Sequence, residues 1–291
     1  MKPRALGAAT AAIALIVAAP LAFMQEDPTR QIIPEALLKA RPPAAAPAGR
    51  KPPRYKPAGS SNANKVASGT ELGVTLWRLR AARPSDDGAR LLVQESAGDL
   101  TADRVDTNTP LAIGDRVRLT IESSNNGYLY VIDRELYADG TKSDPYLIFP
   151  TSRTREGDNA VRGGRLIDIP GQRDNPNYFT VKPSRPQQVG ELLTIMITPK
   201  PLPDVALAPQ AAKLPVAAVE KWEKAWAAPV EEFTQEGSRA AWTKQEQAAA
   251  ADGTRLLTQE DPAPQTLFRI AAKKGVPVLV HVKLPYAASD R

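Results

Sequence analysis

The chain has 291 residues, with 38 Lys or Arg against 32 Asp or Glu, one histidine and no cysteine. The missing cysteine excludes a disulfide framework, a thiol nucleophile, a thiolate metal site and lipid attachment through a thiol. A single histidine leaves a transition metal mostly carboxylate ligands, which argues against zinc. The formal charge of +6 divides into +7 over residues 1–65, −2 over residues 66–205 and +1 over residues 206–291. That division argues against a nucleic-acid partner, since a binding domain carries its own basic face.

Residues 5–23 carry no charge; Lys2 and Arg4 precede them, and Glu26 and Asp27 follow. A basic start before an apolar run is the build of an export signal or a single N-terminal membrane anchor. Pro20 breaks the last turn of the run and spoils the cleavage positions around it, so residues 1–24 are expected to be either a cleaved signal or an uncleaved anchor. Either way the protein is expected to be exported, to the periplasm or to the inner membrane facing it.

Residues 41–65 hold six prolines and six basic residues but no acid. Proline fixes φ and removes donors, and little apolar surface is present to bury, so residues 25–65 read as a disordered, basic, proline-rich linker.

Beyond it, residues 66–291 read as one β-rich domain. In residues 116–122, Val117, Leu119 and Ile121 alternate with Arg116, Arg118, Thr120 and Glu122, which predicts a strand with one core face and one wet face. Residues 72–79, 89–95, 128–133, 146–149, 166–169, 178–181 and 193–197 read as further strands. Gly127, Gly140, Gly163, Gly164 and Gly171 supply turns between them. Many short strands without helical pattern between them predict a mainly β fold, an antiparallel β-sandwich or barrel-like core.

Gly114-Asp115-Arg116-Val117, Gly127-Tyr128-Leu129-Tyr130-Val131, Asp139-Gly140, Leu147-Ile148-Phe149-Pro150 and Phe179-Thr180-Val181 follow one another over residues 110–202. Their order resembles a bacterial domain-of-unknown-function family, found on exported and signalling proteins and fused to peptidase, kinase or caspase-like domains. Ile148 stands where that family usually has leucine. The resemblance implies a β-rich accessory domain with an interaction or sensing role, and it transfers no catalytic residue.

After the prolines at 199, 201, 203 and 209, the period changes. Val219, Trp222, Trp226, Val230 and Phe233 fall at spacings of three and four, one face of a helix. Pro229 interrupts that face, and residues 238–251 read as a further helix containing Trp242, giving a helical insertion over about 215–251. Residues 266–272 and 276–284 read as strands joined at Lys273-Lys274-Gly275, a terminal β-hairpin completing the sheet. His281 lies on the second of these, where a surface position is the simpler reading.

Candidate sites are few. Tyr128 and Tyr130 share a strand face and, with Tyr146 and Tyr178, are the candidate binding residues of a groove; packing on the sheet is the simpler use of all four. Asp133, Glu135, Asp139 and Asp144 surround a predicted hairpin, where turn chemistry competes with calcium ligation. Asp168 and Asp174 offer a carboxylate pair of unknown separation. No catalytic residue, metal ligand or cofactor is assigned, since the chain lacks a nucleophile elbow, a phosphate loop, a dinucleotide glycine pattern and a metalloprotease histidine pair. The expected function is a non-enzymatic interaction module of the bacterial cell envelope, whose partner is another envelope protein or a cell-wall component. The competing reading is a carboxylate-based hydrolase of envelope polysaccharide.

Overall fold

The computed structural model describes residues 32–45, 53–58, 69–84, 86, 90–91, 100–236, 241–251 and 255–288. The expected signal or anchor at 1–24 lies outside the described residues, among which no helix is long and apolar enough to cross a membrane. In chain order the first elements are α1 (Glu35–Ala40), β1 (Tyr55–Pro57), β2 (Thr70–Ala81), β3 (Arg90–Leu91), β4 (Leu100–Val105), β5 (Arg116–Ser123), β6 (Gly127–Tyr137) and β7 (Tyr146–Phe149). β8 (Ala160–Val161), β9 (Ile167–Ile169), β10 (Phe179–Thr180), β11 (Gln188–Thr198) and β12 (Ala212–Lys213) follow. The chain then forms α2 (Val216–Ala225), β13 (Val230–Gln235), α3 (Lys244–Ala251), β14 (Thr266–Ile270) and β15 (Val278–Pro285).

The fold is mainly antiparallel β, as the alternating sequence predicts. Among the described residues the strands form one nine-stranded and one six-stranded sheet, neither closed into a barrel. In the larger sheet β2 is the spine, pairing along one edge first with β14 and then with β4, and along the other edge with β5. β13 and β1 extend the sheet beyond β14, while β9 and β10 share the outer edge of β5. The smaller sheet runs β12-β7-β6-β11-β15, with β8 beside the start of β6.

The two sheets meet in a sandwich-like core. Leu72, Val74, Leu76, Leu119 and Ile121 of one face Leu129, Val131, Ile195, Ile197, Val280 and Val282 of the other within one apolar cluster. Helices cover both outer faces. Val219 of α2, with Trp222 and Trp226, packs on Tyr130, Ile132, Met196 and Leu279. On the back of the larger sheet Trp77 of β2 stacks on Trp242, just ahead of α3, with ring centroids 5.4 Å apart. Arg104 lies over the first ring and Arg118 over the second, at 5.1 Å and 4.9 Å.

Several expectations are corrected here. The alternate face of β5 is not wet: Arg118, Thr120 and Glu122 are all buried, because remote segments cover them. Part of the expected 25–65 linker supplies that cover. Leu37 of α1 and Arg41 after it are buried, and β1 pairs with β13 through the buried Tyr55. A compositional reading averages over prolines and charges and misses the few large side chains that anchor such a segment.

The helical insertion is broken, since Val230 and Phe233 belong to strand β13 and α3 begins only at Lys244. The terminal hairpin does not form either. β14 pairs with β2 and β13 in one sheet, β15 pairs with β11 in the other, and the turn at Gly275 (φ 84°) carries the chain across. The C-terminal third therefore contributes strands to both sheets.

Candidate functional site

The core-facing register of the smaller sheet changes chemistry at one end. On β6 the inward series Leu129, Val131 runs on into Asp133 and Glu135, and on β11 the series Ile197, Ile195, Leu193 runs on into Glu191. On β15 the series Val278 to Leu284 ends at Tyr286 just past the strand. Strand register places Asp133 opposite Leu193 and Glu191 opposite Glu135, so Asp133 and Glu191 are diagonal neighbours on adjacent strands.

Both acids line a cavity of about 180 Å3 between the sheets, whose aliphatic walls include Leu76, Leu119, Leu193 and Leu284. Glu191 is fixed from one side. Its Oε1 accepts hydrogen bonds from the Tyr286 hydroxyl and from Gln188 Nε2, the latter at 2.7 Å. A bulge between Gln188 and Gly190 makes this convergence possible. Gly190 is required there, because a Cβ would lie 2.5 Å from the Leu284 carbonyl oxygen. Glu135 points its Oε2 elsewhere, toward the Tyr137 and Ser184 hydroxyls.

Two oxygens remain unpaired. Asp133 Oδ1 and Glu191 Oε2 are shut off from solvent without a hydrogen-bond partner in the protein. Burial, with the charges of Glu191 and Glu135 added, holds the Asp133 carboxyl well above the ordinary carboxylate range. Burial likewise pushes Glu191 up to about 6, against the opposing hydrogen bonds from Tyr286 and Gln188.

The mouth of the cavity is apolar. Phe179 lines it and is partly exposed, with Ile148 beside it, and both also line an adjoining cavity of about 190 Å3 next to Thr154, Asp174 and Tyr178. Ile113 and Val189 are exposed on segments tied to the same end of the sheets, through Gly114 N to Val181 O (2.8 Å) and Tyr286 N to Val189 O (2.9 Å).

The four candidate tyrosines do not assemble into one groove. Tyr128 and Tyr130 share the outer face under α2, where the Tyr130 hydroxyl accepts from Leu202 N. Tyr146 is exposed opposite Asp133 on the β6–β7 ladder, and Tyr178 is buried behind the other sheet with Arg116 over its ring.

The acids singled out in the sequence disperse as well. Asp139 closes its turn through Thr141, Asp144 pairs with Lys213, Asp174 accepts from Gly171 N and Thr154, and only Asp133 reaches the cavity. Asp168 is buried against Arg118, with burial raising its carboxyl to about 7 against that arginine's pull. His281 is exposed on the outer face of β15, with its Nδ1 3.2 Å from the Thr194 hydroxyl.

Glu191 and Tyr286 escape a residue-by-residue search. Their signal is the apolar register of three neighbouring strands running into polar side chains at one shared end. Among the described residues no group of three or more His, Asp or Glu is placed to hold a metal ion. No protein-family model, curated protein or solved structure matches the chain.

Proposed function

We propose that this protein is an exported, non-enzymatic binding module of the bacterial cell envelope, whose ligand enters the cleft between the sheets at the Asp133 and Glu191 end. One observation carries the cleft assignment: an apolar cavity between the sheets is lined by two carboxylates, each with one buried oxygen that has no partner. Native interiors rarely leave such groups unsatisfied, so a ligand that satisfies them supplies free energy where the protein alone does not. Export rests on the N-terminal run of residues 5–23 and its basic flank. The motif order over residues 110–202 supports an accessory rather than a catalytic role.

The test compares the wild-type chain with Leu193→Trp, which fills the cavity, for capture of envelope proteins and cell-wall fragments. Capture lost in the filled variant supports the cleft, and undiminished capture moves the site elsewhere. A reporter active only outside the cytoplasm, fused after residue 66, tests export, and a silent reporter defeats it.

A second reading has one observation in its favour. Glu191 held at about 6 beside Asp133, whose carboxyl burial also raises, in an apolar cleft is the pattern of a carboxylate pair that shares a proton. Under that reading the protein is a carboxylate-based hydrolase of envelope polysaccharide. Glu191→Gln would then cost about two to four orders of magnitude in turnover on cell-wall fragments, and no turnover in the wild type removes the reading.

A further inference from the structure

We infer that the cleft takes a primary ammonium group on an unbranched aliphatic stem, a lysine side chain of a peptide, with the Asp133 and Glu191 carboxylates as its acceptors, whose sealed oxygens Oδ1 and Oε2 turn toward the cleft as it binds. This rests on the cleft being the binding site and adds the chemistry of what it binds.

Three features select the ligand. The walls are aliphatic, so a methylene stem is buried at a gain. The two free acceptors are carboxylate oxygens, so the head they receive is a donor, and a cation is favoured over a neutral one. The acceptors also come one from each side chain: Glu191 Oε1 is already engaged by Tyr286 and Gln188, which leaves Oε2, and Asp133 offers Oδ1. A guanidinium fork asks for both oxygens of one carboxylate, whereas a compact ammonium with three rotatable donors bridges single oxygens of two.

Size agrees with this. The cavity of about 180 Å3 holds the equivalent of roughly six waters at liquid density, room for a four-methylene stem and its head. The exposed apolar residues Phe179, Ile113 and Val189 around that end of the sheets give the flanking peptide a surface to lie on.

The experiment uses the full chain and four probes at about pH 8: pentylamine, 1-pentanol, Nα-acetyl-lysine amide and Nα-acetyl-arginine amide, followed by chemical-shift titration. Pentylamine is expected to bind about tenfold or more tightly than pentanol, and the lysine amide more tightly than the arginine amide. Asp133→Asn and Glu191→Gln, both isosteric, are expected to bring the amine-to-alcohol ratio close to one while alcohol binding persists. Thermal unfolding checks that both variants are folded. Equal affinity for amine and alcohol in the wild type overturns the inference but leaves an apolar cleft standing. A ratio that survives both substitutions overturns it too, and arginine bound as tightly as lysine overturns the choice of ammonium. Failure of all four probes overturns the cleft reading along with the inference.

Discussion

The back of the larger sheet and the mouth of the cleft treat their acids differently, those behind the sheet being fully buried and those at the cleft half-buried. Behind the sheet four buried acids each meet an arginine: Glu71 with Arg269, Glu122 with Arg41, Asp168 with Arg118 and Glu246 with Arg104. At the cleft neither Asp133 nor Glu191 forms an ion pair among the described residues, and the charges acting on them include each other's or that of Glu135. Charges compensated inside the chain serve the fold, since breaking such a pair leaves an uncompensated charge in low dielectric. Carboxylates left uncompensated weaken the fold locally, which is the expected state of a site completed from outside.

The largest effect expected from this contrast is at Arg118. Arg118→Ala strands Asp168 beneath Trp242 and should lower stability by about 3–5 kcal/mol near neutral pH, read by denaturant unfolding. The loss should shrink at about pH 5, where a raised Asp168 takes up a proton and no longer needs its partner. A pH-independent loss would make the arginine's contribution one of packing alone.

Asp133→Asn should act in the opposite direction, raising stability by about 1–3 kcal/mol at about pH 8, since it removes an ionisable group from an apolar wall. The sign follows from a folded-state carboxyl held above its unfolded value. Protonation favours the folded state, so that contribution is present at low pH and lost as pH rises. The gain over wild type should therefore fade toward about pH 4. A destabilised variant would place Asp133 with the structural acids behind the larger sheet.

Glu191 sharpens the same point on a smaller scale. Its carboxyl rises from 4.5 to about 6 in the folded protein, so its contribution is complete below the first value and lost as pH climbs through the second. Glu191→Gln should flatten the stability profile in that window by on the order of 1 kcal/mol, less any penalty for disturbing Tyr286. Thermal melts across that range read it directly. The smallest effect is expected at the cleft's neighbour Tyr146, which is exposed and anchors nothing: Tyr146→Ala should change stability by less than about 0.5 kcal/mol. A larger loss would extend the binding surface, or the core, to that ladder.

How much of this was legible varies by residue. Val117, Leu119 and Ile121 announce a strand and do face the core. Arg118 and Glu122, read by the same alternation as solvent-facing, are buried because α1, Arg41 and the chain around Trp242 lie over them. A period of two reports which residues share a face, not what covers it. Val230 and Phe233 continue the spacing of Trp222 and Trp226, but the break at Pro229 releases them to pair with β14, where tertiary pairing overrides a local period. Of the candidate site, Asp133 was visible as a turn-flanking acid, whereas its partner lies fifty-eight positions later on β11 and gained meaning only from register.

By itself the sequence determined the things that depend on local chemistry. These are the antiparallel strands written in alternation, the turns at glycine, the absence of cysteine and the basic, apolar start. Only the tertiary structure decided which sheet each strand joined, that part of the proline-rich region is stitched into the fold, and that three inward registers end together at Asp133, Glu191 and Tyr286. The reason is physical: alternation and turn residues act over a few positions, whereas the burial and pairing of a charge depend on side chains brought from distant parts of the chain.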